Sequence, residues 1–155
     1  MIKRSVSLVL SLLLITSVAH AGLGSKKTLY VGGTIASLKE KTEGVSSSTD
    51  PTNFIFTYKE GKLIIPFDKI TELEYGQKAG RRVGMAILIS PLALFSKKRK
   101  HFLTINYNDE NGKQQAGVFE LGKDVIRTTL ASIQARTGKE IQYQDEDARK
   151  SAKGN

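Results

Sequence analysis

The chain has no cysteine and no tryptophan, and its 155 residues include only two histidines and three prolines. Without cysteine there is no disulfide staple and no thiolate metal ligand, so the hydrophobic core alone has to hold the fold. His20 and His101 are too few for a histidine-based metal centre. No serine stands in a Gly-x-Ser-x-Gly setting, and no Gly-Lys-Ser/Thr follows the glycines Gly76, Gly80 and Gly84. Serine-hydrolase and phosphate-loop chemistry therefore have no motif here. Glu72 and Glu74 lie two apart on one strand with no opposed carboxylate indicated, which argues against a glycosidase pair. Acidic residues are also scarce: 15 against 24 lysines and arginines, a net charge of +9. The expectation is a protein that is not an enzyme, carries no cofactor or metal, and meets anionic partners. Nucleic acid is not expected among them, because no aromatic residues interleave the basic ones as in single-strand binders.

The amino terminus points to export. Met1-Ile2-Lys3-Arg4 is a short positive region, and residues 6–18 are an apolar stretch built on Leu8, Val9, Leu10, Leu12, Leu13, Leu14 and Ile15. Ala19-His20-Ala21 supplies small residues at the two positions that a signal peptidase reads, so residues 1–21 read as a cleaved signal peptide. The stretch is shorter than the roughly 20 apolar residues of a spanning helix. Cleavage would remove Lys3 and Arg4 and leave the chain strongly basic. The expected location is the periplasm or cell envelope, or secretion from the cell.

Residues 83–95, VGMAILISPLALF, carry no charge at all. Arg81 and Arg82 precede them, and Lys97, Lys98, Arg99 and Lys100 follow. As a helix the run would be about 20 Å long, too short for a hydrocarbon core of about 30 Å. Pro91 would break it near the middle. One reading sinks Ile87, Leu88, Ile89, Leu92, Leu94 and Phe95 into the acyl boundary of an anionic membrane while the six cations stay with headgroups. In the other, the run is a buried element of the fold, or a surface for a partner protein of the cell envelope.

Elsewhere the apolar period is two. Residues 27–38 are strand-like, with Gly32-Gly33 marking a bulge or bend, and the polar stretch 39–52 reads as a long loop. Phe54, Phe56 and Tyr58 share one face, Glu60-Gly61 turns the chain, and Leu63, Ile65 and Phe67 return in register. Pro66 marks an edge strand. In residues 71–75, Leu73 and Tyr75 point inward and Glu72 and Glu74 outward. Leu103, Ile105 and Tyr107 begin a second hairpin, turned by Asp109-Glu110-Asn111-Gly112 and completed by Val118, Phe119 and Leu121. His101 reads as the residue that starts this hairpin, kept neutral by neighbouring cations.

The period then changes. Val125, Ile126, Thr129, Leu130 and Ile133 form one helical stripe, Asp124 stands at its positive end, and Gly138 follows its last turn as a left-handed cap. Ile141 and Tyr143 make a short apolar piece, and the charged tail 144–155 is expected to be disordered. The sum is a single domain, 22–143, mainly β with one C-terminal α-helix: a small partly open barrel or sandwich capped by the helix.

The hairpin FIFTYKEGKLIIPFDKITELEYG and the later HFLTINYNDENGKQQAGVFELGKDVIRTTLASIQARTG resemble bacterial pleckstrin-homology-like or GRAM-like domains. These two runs hold 61 of the 134 residues beyond residue 21. The resemblance implies the barrel, the closing helix and a binding role. Phosphoinositide-binding members of that group carry basic residues around the first strand-turn-strand unit, whereas Lys39, Glu40, Lys41 and Glu43 mix signs here. The resemblance therefore implies no particular ligand.

Overall fold

The structure is a computed structural model, and it describes residues 27–78 and 100–154. Residues 1–21, expected to be a signal peptide, and the apolar run 83–95, with Arg81, Arg82, Lys97, Lys98 and Arg99, lie outside the described residues.

Eight strands form one sheet: β1 (Lys27–Gly33), β2 (Thr42–Ser47), β3 (Asn53–Tyr58), β4 (Gly61–Pro66), β5 (Ile70–Gly76), β6 (His101–Asn108), β7 (Gln114–Leu121) and β8 (Ile141–Tyr143). Their order across the sheet is β4-β3-β2-β1-β7-β6-β5-β8. Every pairing is antiparallel except β5 with β8. The sheet stays open, with β4 at one edge, where Pro66 costs no ladder bond. The β3–β4 turn is the two residues Lys59-Glu60, since Tyr58 already pairs with Gly61.

Strong curvature brings the halves of the sheet face to face. Phe119 on β7 meets Phe54 and Phe56 on β3 at ring separations of 5.3 and 5.4 Å, although β1 and β2 lie between those strands. One device for this curl is the bulge in β1, where Val31-Gly32 oppose the single Val118. Gly33 follows at φ +155°, and a Cβ there would stand 2.1 Å from the Ala116 carbonyl oxygen, so only glycine fits. The enclosed core holds Tyr30, Phe54, Phe56, Ile65, Leu73, Leu103, Ile105 and Phe119.

Two helices follow the sheet. Helix α1 (Ile126–Thr137) buries Ile126, Thr129, Leu130 and Ile133 against the core and ends at Gly138, φ +66°, as its stripe and cap predict. The tail is not disordered, contrary to its composition: Glu146–Lys153 form helix α2. Asp145 caps it by accepting a hydrogen bond from the Ala148 N–H at 2.8 Å, and Glu146 and Asp147 occupy its positive end. Its buried anchors, Ala148 and Ala152, are too small to register as an apolar pattern.

The stretch expected to be one long loop contains β2 (TEGVSS), hydrogen-bonded on both sides by β1 and β3. Two neighbours satisfy its backbone, so the strand survives without apolar side chains. Gly44 leaves room for the Phe56 ring, two of whose carbons lie 2.7 Å from where a Cβ would stand. Glu74 also departs from expectation. It alternates outward but is buried, as are Thr104 and Asn106 on β6. A second apolar cluster, Val31, Phe102 and Val118 with Leu29 against it, stands apart from the main core. Central strand β6 is thus buried along both faces.

Candidate functional site

At one end of the sheet β7 finishes, β6 starts and β5 finishes: His101 pairs with Leu121, and Phe102 with Gly76. Both helices reach this end. Between them and the strand ends lies a cleft of about 400 Å³ lined by His101, Lys123, Asp124, Arg127, Lys150 and Ser151, with Ile126 and Gly154.

The floor of the cleft is a polar cluster attached to the core. Tyr75, fully buried on β5, stacks on His101 with ring centroids 6.1 Å apart. Its hydroxyl lies 2.5 Å from His101 Nδ1 and donates to Ser151 Oγ at 3.4 Å. His101 is itself buried, and Nδ1 is its engaged ring nitrogen. Burial, then the charge of Lys123, pushes His101 below the usual histidine pKa, while Glu120 opposes them. The sequence expectation of a neutral strand-start histidine is met, with burial as the larger cause. Burial likewise raises the Tyr75 hydroxyl.

The walls are cationic. Lys123 follows β7, Arg127 stands in the first turn of α1, and Lys150 lies on α2. The ion pairs between described residues are Lys100–Glu120 and Arg149–Glu146, and neither involves these three cations. Gly154, the left-handed C-cap of α2 at φ +70°, lets Arg127 lie close: a Cβ there would meet the guanidinium carbon at 2.3 Å. Helix α1 starts beside the cleft without a side-chain cap, so its positive end adds to the field. Asp124 is the one carboxylate among the described residues of the lining.

Of the residues that the sequence singled out for membrane contact, Lys100 is described. It is half-buried, and its Nζ donates to Glu120 Oε2 at 2.8 Å, so part of its charge is already answered. The cleft cations escaped the sequence reading because Lys123, Arg127 and Lys150 come from three separate segments. Asp145, two further acids, then Lys150, Lys153 and Gly154 do make a start-to-stop helix signature that would have found α2. Among the described residues no group of three or more metal-ligating side chains gathers, and no helix is long and apolar enough to cross a membrane.

No protein-family model matches the chain, and no curated protein matches it significantly.

Proposed function

We propose that this protein is an exported, non-catalytic binding module of the cell envelope, pleckstrin-homology-like or GRAM-like in architecture, that docks on anionic membrane surfaces. The observation that carries the reading is the gathering of Lys123, Arg127 and Lys150 at the end of the sheet where β5 finishes and β6 begins. The segment between those strands contains Arg81, Arg82, Lys97, Lys98 and Arg99 around the apolar run 83–95. Lys123, Arg127 and Lys150 thus lie at the end of the sheet where the chain leaves β5 and rejoins β6, and the sequence in between is basic and apolar. Each cation near an anionic leaflet contributes about 1 kcal/mol, enough in sum for reversible peripheral docking.

Sedimentation of the exported protein with vesicles of phosphatidylglycerol, at low and high salt, tests the reading. Pelleting is expected at low salt and should fade as salt rises. It should also weaken when Arg81, Arg82 and Lys97 to Lys100 are changed to glutamine. Absence of pelleting with any anionic vesicle would overturn it.

A second reading has its own support at the opposite edge of the sheet. Among the described residues strand β4 has no neighbour on its outer side, and Ile64, 45% exposed, pairs with Ile55 on the same face. An extended segment of an envelope protein could add there by main-chain hydrogen bonds, with little dependence on salt.

A further inference from the structure

The cleft is better suited to one discrete group than to a diffuse surface. We propose that it binds a phosphate monoester, with His101 Nε2, Arg127, Lys123 and Lys150 as its donors. The inference deepens the docking reading and rests on it where the monoester is a lipid headgroup.

Four observations support it. First, among the described residues of the lining, Lys123, Arg127 and Lys150 outnumber the one carboxylate, Asp124, by two charges. That matches the −1.5 to −2 of a phosphate monoester near neutral pH and exceeds the single charge of a phosphodiester or carboxylate. Secondly, a space of about 400 Å³ accommodates a small headgroup, within the ordinary range of roughly 300–1,000 Å³ for ligand sites. Thirdly, His101 is only 8% exposed yet lines the cleft, and with Nδ1 beside the Tyr75 hydroxyl its Nε2 has no partner among the described residues. The buried side-chain polar atoms lacking a partner among the described residues are the Tyr30 hydroxyl and Asn106 Oδ1, so Nε2 is open to the cleft and to a group that enters it. With an anion in place the ring proton resides on Nε2 and points at a phosphate oxygen, while the Tyr75 hydroxyl turns its one proton from Ser151 Oγ to Nδ1. Fourthly, Gly154 keeps its side free of a Cβ that would collide with the Arg127 guanidinium, so the planar fork stays at the rim of the cleft. Burial, then Lys123, lowers the His101 pKa, and a dianion beside it would reverse part of that effect.

The monoester could be the headgroup of phosphatidic acid or a soluble metabolite, and the test separates them. The exported protein, labelled for NMR, is titrated with glycerol 3-phosphate while the His101 ring signals are followed. Sodium acetate at the same ionic strength is the control. Separately, vesicles containing phosphatidic acid are compared with phosphatidylglycerol vesicles of equal total charge.

We expect saturable movement of the His101 signals with glycerol 3-phosphate and none with acetate. Arg127→Gln and Lys150→Gln, both exposed positions, should each weaken that binding about tenfold by removing a charge-assisted contact. Tighter pelleting with phosphatidic acid than with phosphatidylglycerol identifies a lipid as the source. Binding of glycerol 3-phosphate without vesicle pelleting identifies a soluble ligand, and then the docking reading falls while the site stands. Still His101 signals, or equal movement with acetate, would overturn the site even if anionic vesicles continued to pellet the protein.

Discussion

Replacing Phe119 by alanine should unlatch the two halves of the sheet from each other. Its ring is fully buried and touches three other rings, those of Tyr30, Phe54 and Phe56, at 5.6, 5.3 and 5.4 Å. Two of those partners belong to β3, which shares no hydrogen bond with β7, so side-chain packing is what joins these strands. Truncating a buried phenylalanine costs about 3–5 kcal/mol through lost transfer energy and an unfilled cavity. The aromatic contacts, each worth about 0.5–1.5 kcal/mol, place the expectation near the upper end. With a urea m-value of about 2 kcal/mol/M, the denaturation midpoint should fall by about 2 M. Phe119→Leu, which keeps most of the apolar volume, should lose about 1–2 kcal/mol. Urea unfolding followed by circular dichroism measures both. A loss below about 1 kcal/mol for the alanine variant, at unchanged m-value, would refute the reasoning, because the rings could then not be holding the curled sheet together.

Gly33→Ala combines a backbone conformation that side chains rarely adopt with a collision at the Ala116 carbonyl oxygen. It should destabilise the protein by about 1–3 kcal/mol or more, read as a lowered melting temperature. Asp145→Ala removes the cap of α2 and should cost about 1 kcal/mol, with faster amide exchange confined to residues 146–153. For pH, the folded His101 pKa lies below its unfolded value, so the unfolded chain takes up the proton first. Stability should therefore decline as pH falls below about 6.5 and level off once the folded pKa is passed. Urea midpoints across that window should show this slope in the native protein and a flatter line in His101→Gln.

Alternation made most of the sheet readable. Phe54, Phe56, Ile65, Leu73, Leu103, Ile105 and Phe119 lie in the core where the period of two puts them, and the α1 stripe and Gly138 cap lie where the period of 3.6 ends. What escaped shares a physical cause. Strand β2 is held by backbone hydrogen bonds to two neighbours, and α2 by an aspartate cap and two alanines, so neither needs the large apolar side chains that make a pattern. Glu74 shows the converse failure: alternation gives the face a residue points to, not what covers that face. The cleft was illegible for a third reason. His101 was visible as a lone histidine, but Tyr75, Arg127 and Ser151 join it only through tertiary folding.

The pairing of β1 with β7 bears on when the chain can fold. Leu29 opposes Glu120, so the first strand, paired on one side with β2, finds its second partner only roughly ninety residues downstream, and such distant pairings close slowly. Until Leu121 has been synthesised the β1–β7 seam cannot close, and the β1–β2–β3–β4 meander stays unjoined to the β5–β6 pair. A polypeptide with this wiring stays loose and threadable for as long as its later half is missing. If the protein is exported as proposed, such a delay would suit a secretion channel, which takes unfolded passengers.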